Sequence, residues 1–145
     1  MKIVIVDIDG TLTKVGDRVN CILQENPNWN EFYARCSEDE PVQGVIDIVD
    51  RLMFDYRIVL CSGRRESCRQ DTKGWLSKHA EFLCDDMLLR ADGDERHDTV
   101  LKPELLEKAG IKLEDIAFVL EDRNSMVKKW REMGLVCLQV AEGDF

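Results

Sequence analysis

Short apolar runs alternate along the chain with longer stretches in which apolar residues recur every three or four positions. The runs are Lys2–Asp7, Arg57–Cys61, Met87–Leu89, Ile116–Leu120 and Leu135–Val140. The first, second and last are rich in Val and Ile and nearly continuous, the pattern of strands buried on both faces. From Val42 to Phe54, Val45, Ile48, Val49, Leu52 and Met53 fall at helical spacing, with Pro41 at the start. Glu66–His79 is a second helical stretch, with Cys68, Trp75 and Leu76 on its apolar side. Pro103 opens a third, with Leu105, Leu106 and Ala109 inside and Gly110 as its stop. A fourth runs from Asn124 to Met133 and ends at Gly134; its apolar face is Met126, Val127, Trp130 and Met133. Strands alternating with helices predict an α/β fold with a parallel sheet of about five strands and right-handed crossovers. Ligands of such sheets bind beyond the carboxyl ends of the strands.

Length and composition narrow this picture. A chain of 145 residues fits one domain, 1–145, and its 44% apolar and 34% charged residues describe a globular chain. No apolar run approaches the ~20 residues of a membrane span. Met1–Val6 is too short for a signal peptide and runs straight into the candidate site, so a cytoplasmic protein is expected. The six cysteines form no C-x-x-C pair, and several sit inside apolar runs, which suits buried free thiols. Neither histidine has ligand spacing with a cysteine pair, so no zinc site is expected. No internal repeat is present, and no G-x-x-x-x-G-K-[ST] loop for a nucleoside triphosphate. A net charge of −9 argues against a long electropositive groove for a nucleic-acid backbone, but not against a small basic pocket for one phosphate.

Polar groups close the apolar runs. Asp7 and Asp9, in Asp7-Ile8-Asp9-Gly10-Thr11, follow the first strand, and a chain bending at Gly10 can let both carboxylates straddle one phosphate. After the second strand come Ser62, Gly63 and Arg64. Ser62 reads either as a helix N-cap or as a hydroxyl donor to phosphate, and Gly63 allows close approach. Lys102 precedes Pro103 at a predicted helix start, where the helix dipole disfavours a cation; that placement suits a lysine that holds phosphate and a carboxylate. Glu121 and Asp122 close the fourth strand, either as an acidic helix start or as oxygen ligands for Mg2+.

This set resembles the haloacid dehalogenase superfamily of phosphotransferases. Asp7 and Asp9 match its first motif, Ser62 its second, Lys102 its third and Glu121-Asp122 its fourth. The resemblance implies a doubly wound, Rossmann-like fold and a magnesium cofactor held by Asp7, Asp122, the Asp9 carbonyl and, less directly, Glu121. It implies that Asp7 attacks phosphorus and forms an aspartyl-phosphate. Asp9 would protonate the leaving oxygen and then take a proton from water, which needs a carboxyl pKa shifted upward.

A narrower resemblance is to the 3′-phosphatase domain of phage-type polynucleotide kinase/phosphatase. It rests on Asp7–Thr13, Ser62–Arg64, His97–Lys102 and the tail Cys137–Phe145. It implies substrate-contacting roles for Arg18 and Arg64, with Arg64 gripping phosphate bidentately, and a role for Asp98 in holding Arg64 or Lys102. Two departures stand out. The kinase half is missing, implying a stand-alone phosphatase, and Glu121 replaces an aspartate.

Between Asp7 and Ser62 lie 54 residues, and between Ser62 and Lys102 lie 39. Only a small insert around 12–44 fits, so the cap is minimal and the site open. An open site suits a phosphorylated nucleic-acid end, or closure by a second copy in a homo-oligomer. A nucleotidase or small-metabolite phosphatase on the same scaffold is the alternative. Trp29, Phe32 and Tyr33 lie in the insert, either stacking on a base or packing as a helix in the core.

Overall fold

The computed structural model describes residues 1–82 and 84–145. In chain order the elements are β1 (Ile3–Val6), β2 (Thr13–Lys14), α1 (Asn20–Leu23), α2 (Trp29–Ala34), β3 (Glu40–Pro41), α3 (Gln43–Leu52), β4 (Arg57–Arg65), α4 (Arg69–His79), β5 (Asp86–Arg90), α5 (Asp98–Lys108), β6 (Ile116–Glu121), α6 (Asn124–Glu132) and β7 (Cys137–Gln139). Five strands form one parallel sheet in the order β5-β4-β1-β6-β7. The chain builds outward from β1 to β4 and β5, then returns to add β6 and β7 on the other side. The carboxyl end of β1 is therefore the topological switch point, where a crevice opens. The doubly wound α/β class read from the sequence is the one observed.

Alternation along β1 explains the two covering layers. Ile3 and Ile5 pack with Leu106 of α5 and with Met126, Val127 and Trp130 of α6. Val4 and Val6 face the opposite side, with Ile46 and Val49 of α3 and Trp75 of α4. All four β1 side chains are buried. By the same alternation Asp7 falls on the α5 side, toward Lys102.

Two element boundaries differ from expectation, and both matter for the site. β4 continues through Arg65, so Ser62 lies in an extended segment and caps no helix; its Oγ accepts from the backbone N–H of Arg64 at 3.1 Å. α5 begins at Asp98, not Pro103. His97 caps it, its Nδ1 accepting from the Thr99 N–H at 3.2 Å. Pro103 sits inside α5, forgoing one backbone bond. Lys102 is thus in the second turn, away from the dipole's end, and faces inward. Residues 12–44 hold the β2–β3 ribbon, α1 and α2; Thr13 pairs with Pro41 and Lys14 with Glu40. Cys21, Cys36, Cys61, Cys68 and Cys137 are buried free thiols, and Cys84 is a half-buried one. Among the described residues, no helix is long and apolar enough to cross a membrane.

Candidate active site

A cavity of about 470 Å³ opens above the carboxyl ends of β1 and β4. Asp7, Asp9, Ser62, Gly63, Lys102 and Glu121 form its floor. Ile22, Pro27, Trp29, Phe32 and Tyr33, from the segment that holds α1 and α2, form an apolar and aromatic wall. Arg65, Arg90, Arg96, His97, Asp98 and Arg123 form most of a charged wall, with Phe145 at its end. The strand-end residues singled out in the sequence do converge.

The turn after β1 places the first acids. Ile8 carbonyl oxygen accepts from the N–H groups of Thr11, Leu12 and Thr13, which curls the chain back over Asp7. Gly10 has φ +83°, and a Cβ there would overlap the Asp122 carboxylate. Only glycine allows that close approach. Thr11 Oγ1 lies 3.3 Å from Asp7 Oδ2 and 3.2 Å from Asp122 Oδ1, donating between them.

Lys102 joins two acids. Its Nζ donates to Asp7 Oδ1 and to Glu121 Oε2, each at 2.8 Å, and the residue is 1% exposed. Burial pulls the ammonium toward the neutral form, but the Asp7 and Glu121 carboxylates outweigh it and hold Lys102 well above its ordinary pKa. Burial, reinforced by Glu121, raises Asp7 well above the carboxylate range, although Lys102 opposes the shift. Burial pushes Asp122 up to about 6, with Glu121 adding to it. One ammonium therefore serves three crowded carboxyls, and oxygens of Asp7, Glu121 and Asp122 lie within 4.8 Å of one another. Buried oxygen donors short of positive charge fit a hard divalent cation such as Mg2+. Glu121 is the most committed of the three. Its Oε2 accepts from Lys102 and, at 3.4 Å, from Trp130 Nε1; its Oε1 accepts from the N–H groups of Asp122 and Arg123.

Asp9 departs from expectation. Arg64 donates to it from Nε at 3.1 and 3.2 Å and from Nη2 at 2.8 Å, and Arg18 pairs with the same carboxylate. Burial raises the Asp9 pKa, but the two guanidinium groups outweigh it and bring it down to about 2. The upward shift expected of an acid/base is not what the free site shows. Arg64, 0% exposed, spends its fork on Asp9 and on Thr72 Oγ1 at 2.9 Å. Neither Arg64 nor Arg18 lines the cavity; both stand behind Asp9. A buried guanidinium needs a carboxylate close by, and Asp9 supplies it before any phosphate can.

Asp98 also has other partners than expected. Its Oδ1 accepts from Arg90 Nη2 at 2.7 Å and its Oδ2 from Arg123 Nη1 at 3.2 Å; no bond to Arg64 or Lys102 is formed. It also crowds Gly63, where a Cβ would come within 2.6 Å of Asp98 Oδ1. The Gly63 carbonyl accepts from Tyr33 Oη at 2.7 Å and Arg90 Nε at 2.9 Å.

Sequence reading missed Asp39, Arg90 and Arg123. Asp39 anchors Arg18 through bonds of 2.8 and 2.6 Å and lies 3.6 Å from Arg64 Nη2. No periodicity or spacing marks it. Arg90 closes β5 just as Ser62 follows a strand's apolar run, so the strand-end rule could have found it. The tail earns its contact with the site through Gly143, whose carbonyl accepts from Asn124 N–H at 2.7 Å. A Cβ at Gly143 would overlap the Asp122 carbonyl oxygen. Gln139 Nε2 donates to that same oxygen at 3.0 Å, and the Phe145 carbonyl accepts from Arg123 Nε at 2.7 Å. The tail holds the backbone that presents Asp122.

A family profile described as the polynucleotide kinase PNKP phosphatase domain matches residues 1–145. Over 134 residues the chain is 28% identical to a protein of Autographa californica nuclear polyhedrosis virus described as a "Putative bifunctional polynucleotide kinase/RNA ligase", a match covering 91% of this chain and 18% of that protein. It superposes on a chain of the Pnkp1/Rnl/Hen1 RNA repair complex with a TM-score of 0.82 and 30% identity, covering 100% of this chain and 44% of the other. A haloacid dehalogenase-like hydrolase from Streptococcus pneumoniae gives a TM-score of 0.67 at 16% identity, with 96% and 84% covered, a likeness of fold. The chain thus spans less than half the length of the polynucleotide kinase relatives it matches.

Proposed function

The chain belongs to the phosphatase-domain family of the polynucleotide kinase PNKP and is, as such, a phosphoric monoester hydrolase domain; we propose that it removes 3′-phosphates from polynucleotide ends, with Mg2+ and through an aspartyl-phosphate on Asp7. The observation that carries this reading is the position of Asp7. It stands at the switch point of the sheet, tied to Lys102 Nζ at 2.8 Å, on the floor of a cavity with one aromatic and one charged wall.

Asp7 attacks phosphorus in line with the leaving oxygen, forming the acyl-phosphate bond as the ester P–O bond breaks. Ser62 Oγ already accepts from Arg64 N–H, so its hydroxyl proton is free for a phosphoryl oxygen. Lys102 offsets charge on the same oxygens. Asp9 does the proton work. Arg18 and Arg64 hold it ionised in the free site, and a substrate phosphate brought beside it counters them, so that Asp9 takes up a proton from solvent as the substrate docks. That proton goes to the leaving oxygen; Asp9 then accepts one from the water that attacks the aspartyl-phosphate, releasing phosphate and regenerating Asp7. Asp7 and Asp122 side chains and the Asp9 carbonyl would hold Mg2+, with Glu121 directed chiefly to Lys102. Bound there, Mg2+ favours the ionised carboxylates and neutralises charge on the phosphoryl oxygens.

The test is phosphate release from a 3′-phosphorylated oligonucleotide, its 5′-phosphorylated counterpart, and 3′- and 5′-mononucleotides, with Mg2+ or with EDTA. Turnover of the 3′-phosphorylated oligonucleotide is expected, lost in EDTA and in Asp7→Asn. Turnover of mononucleotides only would replace this reading with a nucleotidase.

A further inference from the structure

Cations on the cavity wall are mostly spoken for. Arg90 and Arg123 are bound to Asp98, and Arg96 to Asp94 and Glu104. Arg65 differs: among the described residues it is the lining arginine with no carboxylate within ion-pair distance. Neutral groups aim it instead. Its guanidinium lies over the Tyr33 ring, 5.2 Å from the centroid, and donates to Asn30 Oδ1 at 2.6 Å. Tyr33 is in turn fixed by its hydroxyl on the Gly63 carbonyl and stacks with Trp29 at 6.0 Å and 25° between planes. In a chain of net charge −9, an arginine left unpaired inside the substrate cavity and oriented by neutral partners is free to meet an anion from outside.

Its distance from the floor limits which anion. Arg65 is three residues beyond Ser62 on β4, at most about 10 Å along an extended strand. That is on the order of one nucleotide step. We propose that Arg65, backed by Tyr33 and Trp29, is a subsite for the phosphate on the 5′ side of the terminal nucleotide, so that the domain prefers a polynucleotide 3′ end to a 3′-mononucleotide. The terminal base lies against the aromatic wall, and the fork of Arg65 takes the phosphodiester oxygens. This inference rests on the 3′-phosphatase reading above.

Three substrates isolate the contact: a nucleoside 3′-phosphate, the nucleoside 3′,5′-bisphosphate, and a dinucleotide with a 3′-phosphate. Only the second and third carry a phosphate at the 5′ position. The wild-type kcat/KM is expected to rise about tenfold from the first to the other two, through KM, the scale of one charge-assisted contact. Arg65→Ala removes that ratio, and Arg65→Lys keeps part of it. Arg51→Ala, an exposed arginine on α3 outside the cavity, keeps all of it. Because the readout is a ratio, loss of folded protein cancels. A ratio near one in the wild type, or an Arg65→Ala ratio equal to the wild type's, overturns the subsite. The parent reading fails differently: p-nitrophenyl phosphate is hydrolysed but none of the three 3′-phosphates is, or the two mononucleotides turn over and the dinucleotide does not.

Discussion

Lys102→Met removes the ammonium that stands between two buried carboxylates and keeps nearly the same volume. Breaking a buried ion pair by deleting one partner costs about 3–5 kcal/mol, because a charge is left uncompensated. Here two carboxylates lose their partner at once, each at 2.8 Å. Uptake of a proton by Asp7, already raised by burial and by Glu121, limits the loss. A deficit of about 3 kcal/mol is therefore expected near neutral pH, against a total stability of about 5–15 kcal/mol. With a urea slope of about 1–3 kcal/mol/M, the midpoint drops by about 1–3 M. Tryptophan fluorescence reports it directly, since Trp130 Nε1 sits on Glu121. The deficit depends on pH with a definite sign. Without Lys102 the folded-state pKa of Asp7 moves further above its unfolded value, so the folded form binds more protons and lower pH favours it. The deficit should be largest at pH 8 and shrink toward pH 5. Turnover should fall at least about 100-fold, as for loss of one preorganised donor. The exposed Lys108→Ala, which removes an ion pair with Glu104 on the helix surface, should stay within about 0.5 kcal/mol of wild type. A Lys102→Met protein within about 1 kcal/mol of wild type at pH 8, or with a deficit independent of pH, would refute the network.

Two further outcomes follow from the same geometry. Asp122 has its pKa raised to about 6, so in metal-free protein its contribution to stability is complete below pH 4 and is lost as pH rises through about 6; protons compete with Mg2+ over that range, so the Mg2+-induced gain in Tm should be small at pH 5 and grow above pH 6, and a gain that is absent at all pH values would sink the metal site. Gly143→Ala drives a methyl into the Asp122 carbonyl and the Arg123 backbone, so calorimetry should show a loss of about 1–3 kcal/mol and a Mg2+ titration a weaker affinity, whereas an unchanged affinity would show that the tail does not position Asp122.

Sequence alone determined much of this protein. Continuous apolar runs against helical spacing set the α/β class, because burial on both faces of a parallel sheet leaves no other pattern. Strand-end polarity located Asp7, Asp9, Ser62, Glu121 and Asp122, because strands that run the same way bring their carboxyl ends to one edge, and a lysine against the dipole of a predicted helix start marked Lys102. What tertiary structure alone decided is how these groups are paired. Pro103 predicts a helix start beside Lys102, yet α5 begins at Asp98 because His97 offers a cap, and that extra turn carries Lys102 into the core. The resemblance implies that Arg18 reaches substrate, that Arg64 grips phosphate and that Asp98 holds Arg64 or Lys102. Folding instead brings Asp39, Asp9, Arg90 and Arg123 against them, and a buried charge takes the nearest opposite charge the fold supplies. Such partners are as much as 55 residues apart, as with Asp9 and Arg64, and no local spacing encodes them. Local pattern names the groups in the site, and only the packed chain determines which charges face one another and which, like Arg65 on the cavity wall, are left without a carboxylate partner among the described residues.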